Sequence, residues 1–280
     1  MTAPDGNPRP REGINSTETS GLGEFAILVC GLGCAAVALT AILTLSVGWL
    51  APWIPFSWET AVAGDVDPAG ETEHPRAEAA LQELSEELAR HAELPAGMRV
   101  RMHLSDSEQP NAFATLGGHV IVTRGLLQSV SSENALAMVL AHEIAHVEHR
   151  HPIQALGRSA VVSLVWAVLA GATGQSAVQD VLGNAGLLTM LGFNREMERV
   201  ADRDALATLR ARYGHTRGAA EFFRTLQARR GGESAEWTGL FQTHPRTAER
   251  LQTIARRAAD TSDAAVEPLP EPIAALAEPG

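Results

Sequence analysis

Two imidazoles four residues apart, His142 and His146, bracket the run His142-Glu143-Ile144-Ala145-His146. In a helix this spacing stacks both rings on one face about a turn apart, where a single tetrahedral zinc can take both. A histidine-rich helix end is the plain alternative, because His149 and His151 follow closely. Catalytic zinc needs a third protein ligand and an open position for water. Downstream, in Asn194-Arg195-Glu196-Met197-Glu198-Arg199-Val200-Ala201-Asp202, Glu198 and Asp202 again lie four apart. On one helical face Glu198 can complete the metal set, while Asp202 can accept the second N–H of a ligating histidine, His142, and so fix its tautomer. The alternative for this segment is an acidic helix laced by Arg195, Arg199 and Arg203. A third histidine in the metzincin pattern is excluded, since it would need glycine at 149 and histidine at 152, where the chain has His149 and Pro152.

The chemistry such a set performs is hydrolysis. One Zn2+ per chain would acidify its water and polarise a scissile carbonyl. Glu143 would take the proton and return it to the leaving amine. A polypeptide substrate is expected to bind extended, with the strand His119, Val120, Ile121 and Val122 offering it an edge. Such binding reads backbone more than side chains, which implies broad specificity for unfolded or misassembled chains; a purely structural strand is the alternative. Two other functions compete. One is a silent binding module that keeps the fold and the metal, against which the presence of Glu143 argues; the other is hydrolysis of a non-peptide substrate at the same site.

These residues need elements to hold them. Leu81, Leu84 and Leu88 at helical spacing, with Glu83, Glu86 and Glu87 turned away and Pro95 beyond, predict a surface helix at the start of a soluble domain near Arg76. Val100, Met102 and Leu104 alternate with polar residues, and His119 to Thr123 follows the Gly117-Gly118 turn signal, which predicts a small antiparallel sheet. The metal-binding helix is expected from Ser131 or Ser132 as N-cap to Pro152. Val161 to Ala172 is apolar but too short to span a bilayer alone, so it reads as part of a buried hairpin or as a segment lying against a membrane. The second site helix runs from Asn194 as N-cap to Gly214.

Residues 25–50 contain no charge and no proline, and 26 residues at about 1.5 Å each span a hydrocarbon layer of about 30 Å. A cleaved signal peptide would be shorter and would follow a basic start. Trp49, Trp53 and Trp58 cluster where the headgroups would lie. Arg9 and Arg11 precede the run and no Lys or Arg occurs between Ala51 and Pro75, which favours a cytoplasmic N-terminus and a catalytic domain outside the cytoplasm. Cys30 and Cys34 lie inside the apolar run, away from any disulfide framework or thiolate metal site. Lys plus Arg total 22 against 33 Asp plus Glu, a net charge of -11, so no basic field exists to gather nucleic acid.

The two motifs together resemble the M48 family of gluzincin peptidases, which pairs His-Glu-x-x-His with a downstream Glu-x-x-x-Asp. Asn111-Ala112-Phe113-Ala114, Gly117-Gly118-His119-Val120-Ile121-Val122-Thr123 and Gly125-Leu126-Leu127 resemble the segment before the family's active-site helix. Thr243-His244-Pro245 with Glu249-Arg250 resembles its late His-Pro segment, and the likeness runs from about Val100 to Leu251. Val200 departs from the extra acidic residue many members carry there. The resemblance implies a zincin-like metalloprotease domain, mainly α with a small sheet, acting as an endopeptidase, often in quality control at a membrane. By the same likeness His244 is a candidate donor to the reaction's oxyanion, with a helix-capping or surface role as the alternative. The expected order is a disordered tail 1–24, a transmembrane helix 25–50, a linker 51–75, the peptidase domain 76–260 and a disordered, Ala/Pro/Glu-rich tail 261–280.

Overall fold

The computed structural model describes residues 21–64, 69–169, 193–219, 248–258 and 265–277. Helix α1, Gly21–Leu50, carries the apolar run and buries none of its residues. Among the described residues it is the one helix long and apolar enough to cross a membrane by length and composition. After a 3₁₀ turn at Ala51–Trp53, helix α2 spans Phe56–Ala63, inside the stretch expected to be a linker. That expectation is corrected: α2 is held by a buried charge that no apolar period announces. Glu59, 3% exposed, pairs with the Arg150 guanidinium and accepts the Gly117 N–H at 3.4 Å. Arg150 Nη1 also donates to the Ile54 carbonyl at 2.8 Å.

Helix α3, Pro75–Ala89, starts with proline in its first turn, where a missing N–H costs nothing, and buries Leu81, Leu84 and Leu88 as their spacing predicts. Strands β1, Arg101–Ser105, β2, Ala112–Ala114, and β3, His119–Thr123, form one sheet in the order β1-β3-β2. The expected small sheet is present, and it is mixed. β1 lies parallel to β3, with Arg101 opposite His119, whereas β2 lies antiparallel to it, with Ala112 opposite Val122. The Gly117-Gly118 turn therefore joins β3 to β2, whose three residues set one strand-favouring side chain, Phe113, between two alanines, too little to announce a strand. Glycine is required at 118 twice over, by φ of 79° and by a Cβ position only 2.0 Å from the Arg99 carbonyl oxygen.

A short helix α4, Arg124–Leu127, leads to α5, Glu133–Glu148, in which every residue from Asn134 to Val147 is buried. A helix buried all round is a domain's central element, and α5 touches α3, β2 and the second site helix. It ends before Pro152 because the chain reverses at Arg150, φ 58°, and Pro152 instead opens helix α6, His151–Leu169. The stretch beginning at Val161 is thus the second half of α6, packed along α1; residues 170–192 lie outside the described residues. Helix α7, Arg195–Tyr213, has Asn194 Oδ1 accepting the N–H groups of Glu196 and Met197, both at 3.0 Å, and stops at Gly214, φ 75°. Helix α8 spans Ala248–Ala258.

The expected disordered tail is corrected at helix α9, Glu271–Ala277. Its Ile273 is fully buried, with Leu269 and Leu276 packed on the same core, and α9 lies on α3 and α4. The Ala/Pro/Glu bias hid three apolar residues spaced by four and three positions.

Candidate metal centre

The face of α5 carrying His142 and His146 meets the face of α7 carrying Glu198 and Asp202, as their four-residue spacings predict. The two Nε2 atoms are 3.1 Å apart. Glu198 Oε2 lies 3.6 Å from His142 Nε2, and its Oε1 lies 3.4 Å from His146 Nε2. All three residues are buried, and one ligand atom from each falls within 4.8 Å of the others. Two imidazoles and a carboxylate suit zinc chemically, and donors about 2.0–2.1 Å from one tetrahedral zinc lie about 3.3 Å from each other, close to the spacing here. The residues fit the metal.

Orientation comes from the far side of each ring. His142 Nδ1 is 3.1 Å from Asp202 Oδ1. His146 Nδ1 is 2.8 Å from Nδ1 of His151, a residue 4% exposed at the start of α6. Burial holds His151 down to about 3, so it is neutral and can accept the His146 Nδ1–H, leaving the His146 Nε2 lone pair facing the space between His142 Nε2 and Glu198. Phe193 stacks on the His146 ring with centroids 3.9 Å apart. Arg250, from α8, forks onto Asp202 with Nε–Oδ2 at 2.7 Å and Nη2–Oδ1 at 2.8 Å, and its Nη1 reaches Glu198 Oε2. Neither His151 nor Arg250 is assigned a site role by the sequence. The only sequence signals for them are a second histidine at the helix end and an arginine in the late segment that resembles the family.

Burial alone would lower the His142 pKa, yet the Asp202 and Glu198 carboxylates outweigh it and lift the ring to about 10. For His146 burial wins and the ring is held well below its usual range. Burial also works against the Asp202 carboxylate, but Arg250 and His142 outweigh it and pull its pKa down. Two buried carboxylates, Glu198 and Asp202, thus face the imidazoles, with Arg250 paired to both.

Glu143 follows His142 on the same helix and is 1% exposed. Its Oε2 accepts the Ala114 N–H at 2.9 Å, which ties the carboxylate to β2. The expected substrate strand needs correction. His119, Val120, Ile121 and Val122 form the central strand β3, paired on both sides and buried throughout, so they offer no edge. His119 Nδ1 lies 2.7 Å from His103 Nε2, within the sheet. The outer strand next to the metal helix is β2. His244 lies outside the described residues.

The sequence model of Peptidase family M48 matches residues 75–258. The mitochondrial metalloendopeptidase OMA1 of Schizosaccharomyces pombe is 30% identical over 158 residues, covering 56% of this chain and 46% of that protein. The beta-barrel assembly-enhancing protease of Escherichia coli K12 is 32% identical over 166 residues, covering 55% and 34%. A protease HtpX homolog of Aquifex aeolicus is 41% identical over 98 residues, covering 34% and 28%. The match therefore spans less than half the length of each of these curated relatives.

Proposed function

The chain belongs to peptidase family M48, and from that premise we propose that it is a zinc-dependent endopeptidase that cleaves unfolded or misassembled membrane or envelope proteins. The observation that carries the reading is the convergence of His142, His146 and Glu198 on one point, with Glu143 beside them. A zinc held by His142, His146 and Glu198 would supply a Lewis acid able to polarise a carbonyl and acidify water. Glu143, steadied through Oε2 by the Ala114 amide, takes the proton of the attacking water on its carboxylate and hands it to the leaving nitrogen. Asp202 and His151 hold the two imidazoles in the tautomers that aim Nε2 inward, and Arg250 keeps both carboxylates in place. β2, at the outer side of the sheet and tied to Glu143, is the strand along which an extended polypeptide lies. His244 is assigned to the oxyanion. Helix α1 is a single-pass anchor, and the catalytic domain lies outside the cytoplasm.

The test is Glu143→Gln in the full chain. Zinc content stays at one per chain while peptide cleavage falls by about 10²–10⁴, the loss of a general base. Cleavage at the parent rate by the zinc-loaded variant removes Glu143 from this role.

A further inference from the structure

Helix α1 is not uniformly bare. Ala36, Thr40, Thr44 and Val47, spaced by four, four and three, are half-buried, while Leu39, Ile42 and Leu45 beside them are exposed. Such a stripe is the footprint of a neighbouring helix, and α6 packs against α1. The contact is close at one end. A Cβ on Gly157 would lie 2.7 Å from Val47 Cγ1, and one on Gly48 would lie 3.4 Å from Arg158 Nη2. Small residues at such points let two helices approach. α6 leaves the metal centre at His151 and meets Val47 at Gly157, while α1 enters the domain at Ala51. Beyond this meeting point both helices run away from the domain, so α6 continues antiparallel along the stripe towards Ala36.

The level of the membrane surface is marked independently. Trp49, Trp53 and Trp58 are 70%, 75% and 67% exposed, as rings at a headgroup boundary are. Arg158 reaches Gly48 at this same level and donates from Nη1 to Met197 Sδ at 3.7 Å. It is the last charged residue of α6: Ser159 to Leu169 carry none, and Val162 and Leu164 are 40% and 46% exposed.

We infer that α6 from Ser159 to Leu169 enters the bilayer beside α1, so the surface it offers is a lipid surface. This rests on the reading of α1 as a membrane anchor. Eleven residues at about 1.5 Å each reach about 16 Å, half the depth of a hydrocarbon layer of about 30 Å. The backbone of a helix satisfies itself there. The consequence for the site is direct. From Arg158 back to His151, which touches the metal ligand His146, is seven residues, or about 10 Å of helix. The metal centre is thereby held within two turns of the membrane surface, and its substrates are polypeptide segments that lie at that surface.

The experiment uses the full chain with Cys30 and Cys34 replaced by Ala, reconstituted in phosphatidylcholine vesicles. A single cysteine carrying an environment-sensitive fluorophore is placed by Leu164→Cys, Val162→Cys, Leu45→Cys in α1, or Glu83→Cys on the exposed face of α3. Emission from positions 164 and 162 is lost to doxyl-labelled lipid as fully as from position 45 and resists aqueous iodide, while position 83 shows the reverse. Iodide quenching at 162 and 164, or protection from both quenchers as under a second protein surface, overturns the inference while position 45 upholds the anchor. Iodide quenching at position 45 overturns both.

Discussion

His151 and His149 stand two residues apart and do different work. His151 is buried against the Nδ1 of His146, whereas His149 is half-buried and bonded to Asp204 Oδ2 at 2.7 Å. Outer partners of ligating histidines typically carry 10–100-fold in metal affinity. His151→Ala should therefore weaken zinc binding by about 10–100-fold in a chelator competition, while His149→Ala leaves it near the parent value; equal effects would remove His151 from its positioning role. The clustering of these side chains was legible because four-residue spacing is a statement about helix geometry that needs no tertiary knowledge. His142, His146, Glu198 and Asp202 follow from it. His151 and Arg250 do not, since one arrives through a chain reversal at Arg150 and the other through a helix 48 residues beyond Asp202. Spacing cannot encode either approach.

At the scale of elements, α9 shows how little sequence a docking helix needs. Ile273 fills a fully buried position on α3 and α4. Ile273→Ala should cost about 2–4 kcal/mol, the range for truncating a buried aliphatic side chain. Thermal unfolding of the variant checks this, and an unchanged melting temperature would mean that α9 does not dock in solution. Helices α3, α5 and α7 were legible from apolar period and caps, and Asn194 and Gly214 act at the α7 ends as their chemistry predicts. The direction of the sheet was not. β1 reaches its parallel place beside β3 only because β2 intervenes, and β2 is a three-residue strand of small and aromatic residues whose neighbour is the metal helix. The same ordering makes His119–Val122 the centre of the sheet and leaves β2 at its outer side. α2 escaped because its anchor is the Glu59–Arg150 pair, two residues 91 apart.

For the whole molecule, the candidate metal centre bears on stability. The chain carries a net charge of -11, and its site adds two buried carboxylates, Glu198 and Asp202, opposed by Arg250. A cation bound only by the folded state stabilises it by about 2.7 kcal/mol at a free concentration 100-fold above its dissociation constant. Stripping zinc with a chelator should then lower the melting temperature by about 5–10 °C. Glu143→Gln should show the same drop, because it keeps the ligands; a chelator-insensitive melting curve would mean that the three donors hold no metal. The far end of the chain bears on the same helix. Ser132 caps α5, but the Glu133 N–H is satisfied by the Glu267 carbonyl at 2.9 Å, and Glu267 is in turn bonded to Asn134, 133 residues earlier. During synthesis on a ribosome α1, His142, His146 and Glu198 all emerge before this clasp exists. The first turn of α5 is thus closed by a segment 133 residues downstream, and it is complete only when that distant segment has folded back onto it.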